Sequence, residues 1–142
     1  QGDAAAVLEI VAPDTRAPML LLRLALAAKA LDLPDFEGLR TKLQAHFDAA
    51  DRRGDALHER EAALANLRLF DRPDLALELA QRNWEGQREF GDTKLVLAAA
   101  LASGNPNAAQ PTLEWLRAQG SQDVRLQPLM QRIADSGASH AF

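Results

Sequence analysis

Leu26-Ala27-Ala28-Lys29-Ala30-Leu31-Asp32-Leu33-Pro34-Asp35 decides the fold, because both of its landmarks recur along the chain. The leucine-alanine pair returns at Leu64-Ala65 and Leu97-Ala98, and the proline turn returns at Pro73-Asp74 and Pro106-Asn107. The turn prolines lie 39 positions apart and then 33. A period of that length, with a small residue in mid-helix and a turn after it, is the mark of a repeated helix-turn-helix unit. Such a unit buries its apolar side only by stacking on its neighbours.

Composition agrees. The chain has 142 residues, 47% of them apolar, which is enough for a sizeable core and about one domain in length. Alanine and leucine, the strongest helix formers, are in excess, while β-branched residues are sparse and tyrosine is absent, so the reading is all-α. Net charge is −4, with acids and bases interspersed in both halves. No basic stripe is available for a phosphate backbone, which argues against nucleic acid as a partner. The most apolar stretch, Met19 to Leu33, is interrupted by Arg23 and Lys29 and falls short of the roughly 20 residues needed to span a bilayer, so no membrane insertion is expected. Without cysteine there is no disulfide, thiolate metal site or cysteine nucleophile. The first residue, Gln1, reads as the start of a processed product or an excised fragment.

The spacing of apolar residues predicts the elements. Asp3 to Val11 reads as a short helix, the second half of a truncated repeat, capped by Asp3 and closed by Pro13. Asp14 or Thr15 caps the next helix, with Pro18 in its first turn, which runs through Leu31. Phe36, Leu39, Leu43 and Phe47 then form the stripe of an amphipathic helix to about Arg52. Asp55 caps a helix to Asp71, Pro73 opens its partner to about Phe90, and Gly91-Asp92 begins a third hairpin whose first helix, Thr93 to Ala102, should be the most buried. After the Ser103-Gly104-Asn105-Pro106 turn, a helix begins near Gln110 or is kinked at Pro111, and Gly120 stops it. The organisation expected is one domain over 1–135: a half repeat at 3–12, hairpins at about 15–52, 55–90 and 92–119, and a capping helix at 123–134, followed by a fraying tail at 136–142.

Paired helices of this length, a small residue midway along the first and another early in the second (Gly38, Ala76, Ala109) resemble the tetratricopeptide repeat over nearly the whole chain. More narrowly, Arg53-Gly54-Asp55-Ala56-Leu57-His58-Glu59, Asn83-Trp84-Glu85-Gly86-Gln87-Arg88-Glu89 and Gln110-Pro111-Thr112-Leu113-Glu114-Trp115-Leu116 resemble the C-terminal part of exported bacterial tetratricopeptide-repeat proteins. The resemblance implies a right-handed superhelix of antiparallel helix pairs, an α-α solenoid, in a soluble protein that is exported, most simply to the periplasm, with further repeats ahead of Gln1.

Catalytic chemistry has little to build on. His58-Glu59-Arg60-Glu61 lacks the second histidine of a zinc helix, where Ala62 stands, and His46 near Asp48 and Asp51 has no second imidazole in reach along the chain. His140 lies in the tail. No serine sits in a Gly-x-Ser-x-Gly elbow, and the glycines fall at helix ends rather than in a phosphate-cradling loop. Neither an enzyme nor a cofactor site is expected.

Arrays of this kind bind a peptide or partner helix in a concave groove lined by their first helices. Arg23, Glu61 and Lys94 fall at matching places before the leucine-alanine pairs, and Ala27, Ala65 and Ala98 follow one turn later. With Arg68, these are the candidate groove-lining residues. The alanines would admit a bound backbone and the charges would pair with its polar groups, or the alanines simply let helices pack closely. Glu61 and Ala65 stand where a clamp for a terminal carboxylate wants cationic or amide donors, which disfavours a chaperone-tail receptor. Trp84 and Trp115, on second helices, are assigned to core or inter-repeat packing rather than to binding. The expected function is a non-catalytic interaction or assembly scaffold whose partner is a protein or peptide. The rivals are self-association as a homo-oligomer through the apolar faces near the N-terminus, and an accessory role in a larger protein whose active part lies elsewhere.

Overall fold

Alanine and leucine lose little side-chain freedom in a helix, and proline is tolerated only in a helix's first turn. Those two preferences set where the helices of this chain run and where they begin. The computed structural model describes residues 18–54 and 59–139, which form seven α-helices and one 3₁₀ turn, with no strand among the described residues. The helices are α1 (Pro18–Ala30), α2 (Phe36–Arg52), α3 (Glu59–Arg68), α4 (Pro73–Gly86), α5 (Phe90–Ala102), α6 (Gln110–Ala118) and α7 (Gln127–Ser139), with the 3₁₀ turn at Pro106–Ala109 before α6. The helix expected over 3–12, the caps expected at Asp14, Thr15 and Asp55, and the end of the tail at 140–142 lie outside the described residues. The chain divides into two compact units, Gln1–Asp71 and Arg72–Phe142.

In the first unit α1 packs against α2 and α3. Leu21, Leu24, Ala25 and Ala28 recur at helical spacing on its buried side, and meet Leu39 and Leu43 of α2 and Ala65, Leu69 and Phe70 at the end of α3. Phe36 and Phe47 complete the stripe on α2, half-buried against the same core. Two cations close the C-terminal end of α3. Lys29 Nζ donates to the Arg68 carbonyl, and Arg40 Nε donates to the Leu69 carbonyl at 2.9 Å. Both satisfy carbonyls that the helix leaves open and oppose its negative dipole end.

The second unit is built on α5, which packs against α4, the 3₁₀ turn, α6 and α7. Leu95, Val96, Leu97, Ala99 and Ala100 are all buried, so the helix is apolar nearly all round and covered on several sides. Its start differs from expectation: α4 stops at Gly86, and Gly91 and Asp92 lie inside α5 rather than in the turn before it. The cause is a capping box in which Glu89 is the N-cap and accepts from the Asp92 backbone, while Asp92 accepts from the Glu89 N–H at 3.1 Å. Asp92, only 1% exposed, also accepts from Asn83 Nδ2 at 2.8 Å, which ties the end of α4 to the start of α5. Pro111 falls in the first turn of α6, so the helix begins at Gln110 without a kink. The last helix starts later than 123 because Asp123 organises a turn, accepting from Arg125 N–H at 2.9 Å, and it continues through Ser139 into the segment expected to fray.

Three junctions share one feature. Asp32, Asp71 and Gly104 adopt left-handed backbone at φ of 51°, 53° and 71°, each two residues before a proline. At the first and third, the next N–H reaches back over the helix end, Leu33 to the Ala28 carbonyl at 2.9 Å and Asn105 to the Ala100 carbonyl at 3.0 Å. The intervening residue repeats as well: Arg72 sits at φ −124°, ψ 70° and Asn105 at φ −123°, ψ 69°. A Cβ added at Gly104 would meet nothing within 4 Å, so any cost of substitution there comes from the backbone alone. An L-residue in this conformation loses about 1–2 kcal/mol, partly offset by glycine's larger entropy in the unfolded chain. Asp71→Gly should therefore raise stability by about 0.5 kcal/mol and Gly104→Ala should lower it by about 1 kcal/mol. Urea unfolding with unchanged m-values is the measurement that checks both.

Candidate interaction surface

The residues expected to line a groove divide by burial. In the first unit Arg23 and Arg68 are exposed, Glu61 is half-buried, and Ala27 and Ala65 are buried, Ala65 within the core shared by α1, α2 and α3. In the second unit Lys94 is exposed and Ala98 is half-buried, one turn apart on α5. Ala27 and Ala65 are thus covered, and the charges are what the surface presents. His46 is half-buried on α2, whereas His58 and His140 lie outside the described residues. Among the described residues no three His, Cys, Asp or Glu side chains group as metal ligands would, and no helix is long and apolar enough to cross a membrane.

A more organised arrangement stands at the α4 end of the second unit. Trp84, in the last turn of α4, is 8% exposed and its indole Nε1 donates to the buried Thr93 hydroxyl at 3.3 Å. Trp115 of α6 meets it edge to face, with ring centroids 5.6 Å apart and planes at 88°. Arg88 leaves the extended link after α4 and folds back over both rings, its Cζ 4.0 Å from the Trp84 centroid and 5.7 Å from that of Trp115. Its Nε donates to the Trp84 carbonyl at 3.1 Å, which fixes the plane of the guanidinium while the side chain stays exposed.

A second stack lies at the start of α5. Arg125 places its Cζ 3.8 Å from the Phe90 ring centroid, and Lys94 Nζ lies 6.0 Å from the same ring. Here the guanidinium edge is occupied by a carboxylate: Nε to Asp123 Oδ1 at 2.9 Å and Nη2 to Asp123 Oδ2 at 2.7 Å. The Arg125 hydrogen bonds hold the Asp123 carboxyl below its ordinary value, and the same bonds raise Arg125 above its own.

Neither stack was legible as a site in the sequence. The four-residue step from Trp84 to Arg88 was visible, but the helix ends between them, so the contact depends on how the link turns back rather than on helical spacing. Phe90 and Arg125 are too far apart along the chain for any local pattern to join them. The chain matches no protein-family model, no curated protein and no solved structure.

The Asp123 shift carries a definite sign. A carboxyl whose folded value is depressed contributes stability above its unfolded value, and that contribution is lost as pH falls through the folded value. The Asp123 carboxyl should titrate below 3.8 by NMR. In Arg125→Gln its midpoint should return toward that value.

Proposed function

We propose that this chain is a protein-interaction or assembly module of tetratricopeptide type, an α-α solenoid that offers rigid helix faces to a peptide or partner helix without catalysing a reaction. The observation that carries the reading is the recurrence of one junction, a left-handed residue followed two positions later by proline, with nearly equal backbone angles at Arg72 and Asn105. Recurrent junctions of this kind join successive helices, and repetition of helix pairs is how helical arrays present extended surfaces. The exposed cations Arg23, Arg68 and Lys94 are the contacts we assign to a partner's polar groups. Export to the periplasm belongs to the same reading, by resemblance.

A second reading, self-association or an accessory role in a larger protein, is favoured by Met19 and Leu20 at the start of α1, which are 38% and 36% exposed beside the buried Leu21 and Leu22. The two readings separate cleanly. With the chain as cross-linked bait in a bacterial periplasmic extract, a partner should be captured by the wild type and lost with the Arg23→Glu, Lys94→Glu double variant at unchanged helicity. Recovery of the chain alone, equally with both baits, and a concentration-dependent mass in sedimentation would decide for self-association.

A further inference from the structure

We propose that Arg88, held on Trp84 and Trp115, is the anchor for a glutamate or aspartate side chain of an acidic peptide partner. The inference rests on the interaction reading above and names the chemistry of the ligand. Two stacked arginines stand in one unit and differ in what engages the guanidinium edge. On Phe90, Arg125 has its guanidinium edge engaged by the Asp123 carboxylate through two hydrogen bonds. On Trp84, Arg88 is stacked at nearly the same distance, 4.0 Å against 3.8 Å, and its Nε is committed to a backbone carbonyl. Its two Nη groups have no carboxylate among the described residues.

The nearby acids do not supply one. Glu89, next in sequence, has its carboxylate engaged by the Asp92 backbone in the capping box, and Asp92 is buried between Asn83 and the Glu89 N–H. Glu85 lies exposed on α4 and forms no ion pair with Arg88. A guanidinium stacked on indole is already partly desolvated and has little freedom left for binding to remove, so a planar carboxylate meets a preorganised fork. The half-buried Trp115 ring beside it offers an apolar surface to the methylenes of the incoming side chain.

The two tryptophans are the only ones in the chain, so their signals report on this place alone. The test titrates the full chain with a peptide of alternating glutamate and glycine, blocked at both termini, while following tryptophan emission and the two indole N–H resonances. Its glutamine counterpart and inorganic phosphate are titrated in parallel. The expected result is a saturable change with the glutamate peptide and none with the glutamine peptide. Arg88→Gln should lose the change at unchanged circular dichroism, and Arg88→Lys, which keeps charge without the fork, should weaken it by about tenfold or more. Three results would overturn the proposal: no saturable change with the glutamate peptide, equal binding by Arg88→Gln or Arg88→Lys, or phosphate acting at the same concentration as the peptide. Failure here, with partner capture still lost in Arg23→Glu, Lys94→Glu, leaves the interaction module standing on a different surface. Peptide binding with no captured partner would instead remove the Arg23 and Lys94 assignment alone.

Discussion

Everything in this fold depends on how its helices stop. A helix of alanine and leucine has no intrinsic reason to end, and the last carbonyls of any helix lack partners. Here α1 and α5 stop at a residue that crosses into left-handed backbone, Asp32 or Gly104, after which the next N–H turns back to the helix's own carbonyls, whereas α3 closes earlier, with the Phe70 N–H on the Ala65 carbonyl, before the left-handed Asp71. The proline two positions later cannot continue the old helix, and Pro73 and Pro106 are already set for the first turn of the next element. Stop and start therefore lie close together in the sequence, and the residues before α4 and before the 3₁₀ turn share nearly the same backbone angles.

What the junctions bring together is packed with small side chains. Ala25, Ala28, Ala63 and Ala65 are wholly buried in the first unit, and Ala76, Ala80, Ala99, Ala100 and Ala109 in the second. Alanine brings little apolar area of its own, but it lets backbones approach and lets Leu21, Leu24, Leu43, Val96 and Leu97 be covered completely. Cores of this kind have no slack for a larger residue, since an added methylene has nowhere to go. Two of the polar groups drawn inside are partnered in the same economical way, whereas the buried Asn66 Oδ1 has no hydrogen-bond partner among the described residues. Asp92 serves the capping box and Asn83 together, and the hydroxyl of Thr93 receives the Trp84 indole.

Fold class was legible because it rests on periodicity, which is local. The stripe Phe36, Leu39, Leu43, Phe47 predicts α2 and is the side that packs, and the apolar run from Leu95 predicts the most enclosed helix of its unit. Boundaries were less legible where side chains, not propensities, set them. Gly91-Asp92 has the composition of a turn, yet Glu89 and Asp92 exchange hydrogen bonds across it and the helix starts before it. Likewise Asp123 holds a turn through Arg125, so the last helix begins four residues beyond its expected start. The alanines after the leucine-alanine landmarks were ambiguous between groove and core for a physical reason: a helix accepts a small residue equally at a ligand and at a neighbouring helix. Burial alone separates the two, and it places Ala27 and Ala65 inside.

The surface chemistry follows from the same economy. With few aromatic residues in the chain, two of its largest rings are spent side by side at the end of α4, and one of them is fixed from within by a hydrogen bond to α5. An arginine laid on such a ring is positioned by the core rather than by another surface side chain. This distinguishes Arg88 from Arg82, whose carboxylate partner, Glu78, lies 3.6 Å away on an exposed helix face, where an ion pair contributes little and salt screens it. A cation oriented by packing holds its geometry whether or not an anion is present. Recognition through it therefore costs less ordering than recognition through a free side chain, and its orientation is tied to the same contacts that keep α4, α5 and α6 together.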